Sequence, residues 1–277
     1  MRLKYKIRVT LLSFWLVSLA HEYASAQKTD TLSALREFVA ISNGYKHLPL
    51  HLELEMKSST NFVTSENDTA DINGEFFLGT ENSYVRFGEF EQVVNDSLAL
   101  LVSHQLQQMI LYPNAGAIIK QMKNMMGAAL PDSSILNLSR KYISIKKELV
   151  PGTAVVELQS RASLYGTKLS RETIELQYDA TKNNPKQVIT TNRTVLPLDS
   201  IQYALMQNEK GMADKLFTLE GNYFLVKEQV TTYLYKQIER APDVKIPVVI
   251  GDRIVKNETG AYEPAGKYNA YKISIND

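Results

Sequence analysis

Residues 50–57, LHLELEMK, set Leu50, Leu52, Leu54 and Met56 at every second position, with His51, Glu53, Glu55 and Lys57 between them. A period of two sends the sets to opposite faces, so the segment predicts a strand with one apolar face. On that reading His51 sits on the polar side and is solvated. Residues 91–113, EQVVNDSLALLVSHQLQQMILYP, hold three short apolar runs parted by polar residues. With INGEFFLGT and SYVRFGEF before them, they predict an antiparallel meander. Its turns fall around Glu81-Asn82, Asn95-Asp96-Ser97 and Gln105. A second β series starts at Lys141 and runs through KYISIKKELV, TAVVELQS, ETIELQYD and KQVITTN. Gly152 and Asn183-Asn184-Pro185 supply its turns.

Three segments have helical spacing. In residues 29–42, TDTLSALREFVAIS, the apolar positions Leu32, Leu35, Phe38, Val39 and Ile41 are mostly three or four apart, and Asn43-Gly44 ends the run. Residues 115–130, AGAIIKQMKNMMGAAL, repeat the pattern with Ile118, Met122, Met125 and Met126, and Pro131 closes them. Unbranched methionine chains either fill a core or form an adaptable apolar lid over varied ligands. A third helix follows Leu198, capped by Asp199 or Ser200, with Ile201, Leu205 and Met212 inside it. LFTLEGNYFLV reads as a hairpin. TTYLYKQIE reads two ways: its β-branched and aromatic content says strand, whereas Val230, Leu234 and Ile238 at i, i+4 say helix. The tail, from IPVVIGDRIV to YNAYKISI, reads as β.

The first residues change the class. Arg2, Lys4, Lys6 and Arg8 precede an apolar run, Val9 to Ala20, and Ala24 and Ala26 follow at the spacing of a signal-peptidase site. This predicts a signal peptide over 1–26 and export to a periplasm, with the extracellular space or outer-membrane association as the alternatives. The run is about 12 residues, too short to span a ~30 Å hydrocarbon core, and no later stretch approaches ~18 apolar residues. Residues 27–277 then form a single β-rich domain with a C-terminal extension from about residue 196. The full chain carries 31 basic and 30 acidic residues; losing four and one of them with the leader leaves a net charge of about −2. That balance excludes nucleic acid as a partner, which calls for a concentrated basic face. With no cysteine, the chain has no disulfide framework, thiolate nucleophile or lipid-anchoring cysteine.

Catalytic chemistry is not legible. The mature histidines are His47, His51 and His104. None stands in the HExxH spacing that puts two imidazoles on one helix face, and no GxSxG, P-loop or GxGxxG occurs. Glu53, Glu55, Glu89 and Glu91 are the carboxylates a hydrolase would draw on, and spacing alone pairs none of them. No catalytic residue, metal or cofactor is therefore assigned. The many tyrosines of the C-terminal third suit strand and rim packing.

The order of segments brings in a resemblance. An N-terminal helix, the strand from Leu50 to Lys57, then Tyr84-Val85-Arg86-Phe87, Val93-Val94-Asn95-Asp96, Leu98 to Val102, and Met109 to Pro113 resemble the periplasmic carrier of outer-membrane lipoproteins and its relatives over residues 30–115. The resemblance implies an α+β fold: a strongly curved antiparallel sheet, an open half-barrel, wrapped around helices with an apolar cavity between. It implies a non-enzymatic binder or carrier of lipidic or hydrophobic ligands, such as lipoprotein acyl chains. The implied ligand contacts are Leu52, Leu54, Phe77, Val85, Phe87, Ile110, Met122 and Met125, with Arg86 as a gate. The second reading is a structural or protein-interaction module of the cell envelope, with envelope proteins as partners; the third is a carboxylate-based hydrolase.

Overall fold

The computed structural model describes residues 31–43, 48–114, 116, 132–240 and 245–276. The segments read as signal peptide and methionine-rich helix, with Met122 and Met125, lie outside them. So does His47.

Helix α1, Thr31–Asn43, forms where the apolar spacing placed it and buries Ala34, Leu35 and Ile41. Six strands follow: β1 (Leu50–Thr60), β2 (Ala70–Leu78), β3 (Ser83–Phe87), β4 (Phe90–Val94), β5 (Ala99–Ser103) and β6 (Gln108–Tyr112). SYVRFGEF is not one strand. The chain reverses at Gly88-Glu89, with Phe87 opposite Phe90, and Gly88 takes the left-handed φ of 57° that such a tight turn demands. Helix α2, Asp132–Lys141, escaped the sequence reading. Serine and asparagine dilute its pattern, leaving Ile135 and Leu138 as its packing pair and Arg140 and Lys141 at the negative end of its dipole.

The second β series follows: β7 (Tyr142–Val150), β8 (Thr153–Ser160), β9 (Glu172–Asp179) and β10 (Asn184–Leu198). Helix α3, Ser200–Gln207, starts as expected. Asp199 accepts from the Gln202 amide while Gln202 reaches back, a capping box. Ile201 and Leu205 are exposed, however, at 72 % and 64 %, and Met212 lies beyond the helix. Strands β11 (Leu216–Leu219) and β12 (Asn222–Glu239) form the expected hairpin. TTYLYKQIE is therefore strand. A spacing of four is even, so it keeps one face of a strand as well as one face of a helix. The tail is less regular than expected: short strands β13 (Ile254–Lys256), β14 (Tyr262–Pro264) and β15 (Lys272–Ile275) alternate with 3₁₀ turns.

The main sheet has thirteen strands in the order β15-β6-β5-β4-β3-β2-β1-β12-β10-β9-β8-β7, with β11 on β12. It is curved and not closed into a barrel, and every pairing is antiparallel except β15 on β6. Register fixes the faces, because directly opposed residues share one. Ile72 opposes Met56, Met56 opposes Tyr233, Tyr233 opposes Val188, Val188 opposes Leu176 and Leu176 opposes Val156. This row defines one continuous face, called here the helix face. At its far end α1 and α2 cover Tyr142, Val156, Leu158, Leu176 and Tyr178, all at most 3 % exposed. Glu37 of α1 accepts from the Tyr178 hydroxyl and pairs with Lys146 at 2.7 Å, which locks the helix to the sheet.

The second core lies on the opposite face, at the other half of the sheet. Ile250, Ile254 and Tyr268 of the tail cover Tyr84, Val93, Leu100, Val102, Met109 and Leu111. The two halves of one sheet are thus sealed on opposite faces.

The β1–β2 loop is pinned to the sheet by an ion pair, Lys227 to Asp68 at 2.7 Å. That ammonium, with the Thr64 and Ser65 amides, holds the Asp68 carboxyl well below its ordinary value of 3.8. A carboxylate depressed in the folded state adds stability above its unfolded pKa, and that contribution is lost as pH falls through the folded value. Urea midpoints are therefore expected to fall between about pH 5 and about pH 2, and Asp68→Asn to flatten that dependence.

Candidate functional site: an apolar groove on the meander

Period-two alternation places Val85, Leu101 and Ile110 in one row across β3, β5 and β6, through the pairs Val85–Gln92, Gln92–Leu101 and Leu101–Ile110. Phe87 and Phe90 form the next row. Leu52 and Leu54 continue the same face on β1 through Phe76 and Gly74. Gly74 makes room here. A Cβ on it would stand 2.8 Å from the Phe76 ring and 2.9 Å from the Phe87 ring, so the rings approach only because it is absent.

Val85, Phe87, Phe90, Leu101, Leu106 and Ile110 line a cavity of about 290 Å³. Phe90 and Leu106 are each 63 % exposed, Leu101 36 % and Ile110 37 %. The opposite face of these strands is packed to a few per cent exposure by the tail. Apolar groups clustered in the open on one face, with a filled core on the other, differ from scattered surface residues and make this groove the candidate site. The groove lies on the helix face, at the end of the sheet opposite α1 and α2.

A buried polar cluster fixes the tail that seals the back of the meander. Glu91 of β4 is 4 % exposed. It accepts from Arg253 Nε at 2.7 Å and from Arg253 Nη2, so the guanidinium grips it with two donors. Its second oxygen faces His104 Nε2 at 3.1 Å and the Tyr268 hydroxyl at 3.4 Å. His104 Nδ1 in turn lies 3.0 Å from the Tyr271 hydroxyl. With Nε2 protonated, the ring donates to Glu91 and accepts from Tyr271. Burial, with the Glu91 charge beside it, pushes the Tyr268 hydroxyl up. Each residue of the cluster has a partner within it, and Arg253 Nη1 also reaches Asp252 at 3.5 Å, so the cluster holds the tail as a clamp.

Of the residues expected from the sequence, Leu52, Leu54, Val85, Phe87 and Ile110 share the groove face. Leu52 is already packed at 8 % exposure. Phe77 and Arg86 stand on the other face: Phe77 opposes His51 and Tyr84, and Arg86 opposes Glu75 and Glu91. Arg86 lines a charged cleft there with Glu53, Glu75 and Lys236. His51 is not solvated, as its place on the polar side suggested; it is 9 % exposed and stacks on Phe77. The sequence reading missed Phe90, Leu101 and Leu106. Among the described residues no helix is long and apolar enough to cross a membrane.

No family model matches the chain, and no curated protein matches it in sequence. Among solved structures it is similar to a LolA superfamily protein from Nitrosomonas europaea, at 10 % identity and a TM-score of 0.25, over 79 % of this chain and 96 % of that one. It is likewise similar to a domain assigned to outer membrane lipoprotein sorting from Vibrio parahaemolyticus, at 11 % identity and a TM-score of 0.25, over 76 % of this chain and 93 % of that one. At that TM-score neither likeness bears on function.

Proposed function

We propose that this chain is a non-enzymatic periplasmic binding or carrier protein for lipidic ligands, and that the groove on the helix face holds a hydrocarbon tail. The observation that carries the reading is the asymmetry of the meander: one face filled by the tail, the other open and lined by Val85, Phe87, Phe90, Leu101, Leu106 and Ile110. A hydrocarbon chain gains ~0.8 kcal/mol for each buried CH₂, so such a wall binds grease without directed chemistry. Its volume of about 290 Å³ lies at the small end of ligand sites, which run ~300–1,000 Å³. A single acyl tail fits that size better than the several chains of a lipoprotein anchor. The basic leader and its apolar run support the periplasmic placement.

Titrating the mature protein with a fluorescent fatty acid is the test. Saturable binding displaced by palmitate is the expected result; signal that rises linearly without saturation would discard the reading. A second reading, a protein-interaction module of the cell envelope, draws on α3, whose Ile201 and Leu205 are both exposed.

A further inference from the structure

We propose that His51, Glu53 and Glu75 bind a divalent transition-metal cation. The three offer one imidazole nitrogen and two carboxylate oxygens, all within 4.8 Å of one another. They come from two neighbouring strands: His51 and Glu53 are two apart on β1 and so share a face, and Glu75 of β2 directly opposes Glu53.

The imidazole is held ready. His51 is 9 % exposed, and its ring stacks on Phe77 with centroids 3.9 Å apart. Its Nε2 is buried and has no hydrogen-bond partner, an arrangement that costs free energy unless something else takes up the lone pair. That atom stands 3.6 Å from Glu53 Oε1 and 3.7 Å from Glu75 Oε1. A charge-assisted hydrogen bond closes to ~2.7–2.9 Å, so these gaps are too long for one. They suit two ligands of a common ion. With bonds of ~2.0–2.2 Å, tetrahedral ligand atoms stand ~3.3–3.6 Å apart.

Electrostatics points the same way. Like charges directly opposed across two strands repel, and a divalent ion between Glu53 and Glu75 turns that repulsion into attraction. On the other side of the ring, Nδ1 stands 3.3 Å from the side-chain nitrogen of Gln237 and 3.8 Å from the Glu239 carboxylate. An ion on Nε2 would put the proton on Nδ1, where the Glu239 carboxylate, and the Gln237 amide turned to present its oxygen, would receive it as outer-shell partners. Mixed imidazole and carboxylate donors suit Zn²⁺, Fe²⁺ or Mn²⁺ rather than a thiolate-seeking ion. Glu53 and Glu75 also line the charged cleft of about 530 Å³ that holds Arg86 and Lys236, so the remaining coordination positions open to it. The site lies on the opposite face from the groove and stands or falls independently of lipid binding.

The probe is Zn²⁺ alone, titrated calorimetrically into the mature protein after dialysis against a chelator, with Co²⁺ absorption as a second readout. One ion per chain is expected, with the visible bands of low-symmetry Co²⁺. Glu75→Gln changes a half-exposed side chain and is expected to leave the fold intact by circular dichroism. It should weaken Zn²⁺ by more than the ~10–100-fold that loss of an outer-shell partner costs. His51→Gln should abolish binding, and Glu239→Gln should weaken it while keeping one ion per chain. No heat of binding with the parent protein, or equal affinity in the parent and Glu75→Gln proteins, would overturn the proposal.

Discussion

Arg253→Met is expected to destabilise the folded chain by about 3–5 kcal/mol, the cost of stranding a buried charge. Glu91 is 4 % exposed and takes both of its closest donors from that guanidinium. Methionine fills a similar volume but offers no donor. His104 and Tyr268 remain, yet neither carries a permanent charge to balance the carboxylate. At ~2–4 °C per kcal/mol for a domain of this size, the calorimetric midpoint should drop by about 10 °C. The contrasting variant is Lys147→Met. Lys147 pairs with Glu157 at 2.8 Å but keeps a side-chain exposure of 53 %, and an exposed pair is worth at most ~1 kcal/mol. Burial decides between the two, since the distances are nearly equal. Because Arg253 anchors the tail over the second core, its loss should also raise dye binding to the uncovered apolar face. Equal midpoints for the two variants would refute the clamp.

Leu101→Asp should cut fatty-acid affinity at least about tenfold, since a carboxylate facing buried methylenes costs more than the ~1.4 kcal/mol of one decade. Leu101 sits in the middle of the groove row, between Gln92 and Ile110. It is 36 % exposed, so the apo fold should accept the charge with its circular dichroism unchanged. Thr173 of β9, on the far half of the sheet and the other face, is the matched control position: Thr173→Asp should leave affinity as it was. If Leu101→Asp binds like the parent, the groove is not where the ligand sits.

Much of this architecture is legible in the sequence wherever one period operates alone. Helix α1 keeps its apolar positions mostly three or four apart and strand β1 alternates, and both formed where expected. Legibility fails where adjacent positions are equally apolar. In the run Leu98 to Val102 a period of two cannot choose a face, so Leu101 was not singled out although it is central to the groove. The doublet Phe76-Phe77 has the same defect, and the sequence reading named Phe77 where Phe76 is the one on the groove face. Helix α2 was lost because serine and asparagine thin its apolar stripe. Long-range pairings left no local trace. Strand β12 enters the sheet between β1 and β10, and Glu91 meets Arg253 across 162 positions of sequence. His51 alternates as a polar residue should, yet Phe77 and three carboxylates enclose it; burial of a polar side belongs to the sheet's partners, not to the strand.

Whether the groove carries lipid in its own compartment is answered most directly by native mass spectrometry. The full chain, leader included, would be expressed in a Gram-negative host and the mature protein taken from the periplasm without unfolding. Species heavier than the bare chain by the mass of a fatty acid or phospholipid, lost on collisional activation and absent from Leu101→Asp, are the expected result. Bare chain alone, with no adduct even after incubation with palmitate, would contradict it.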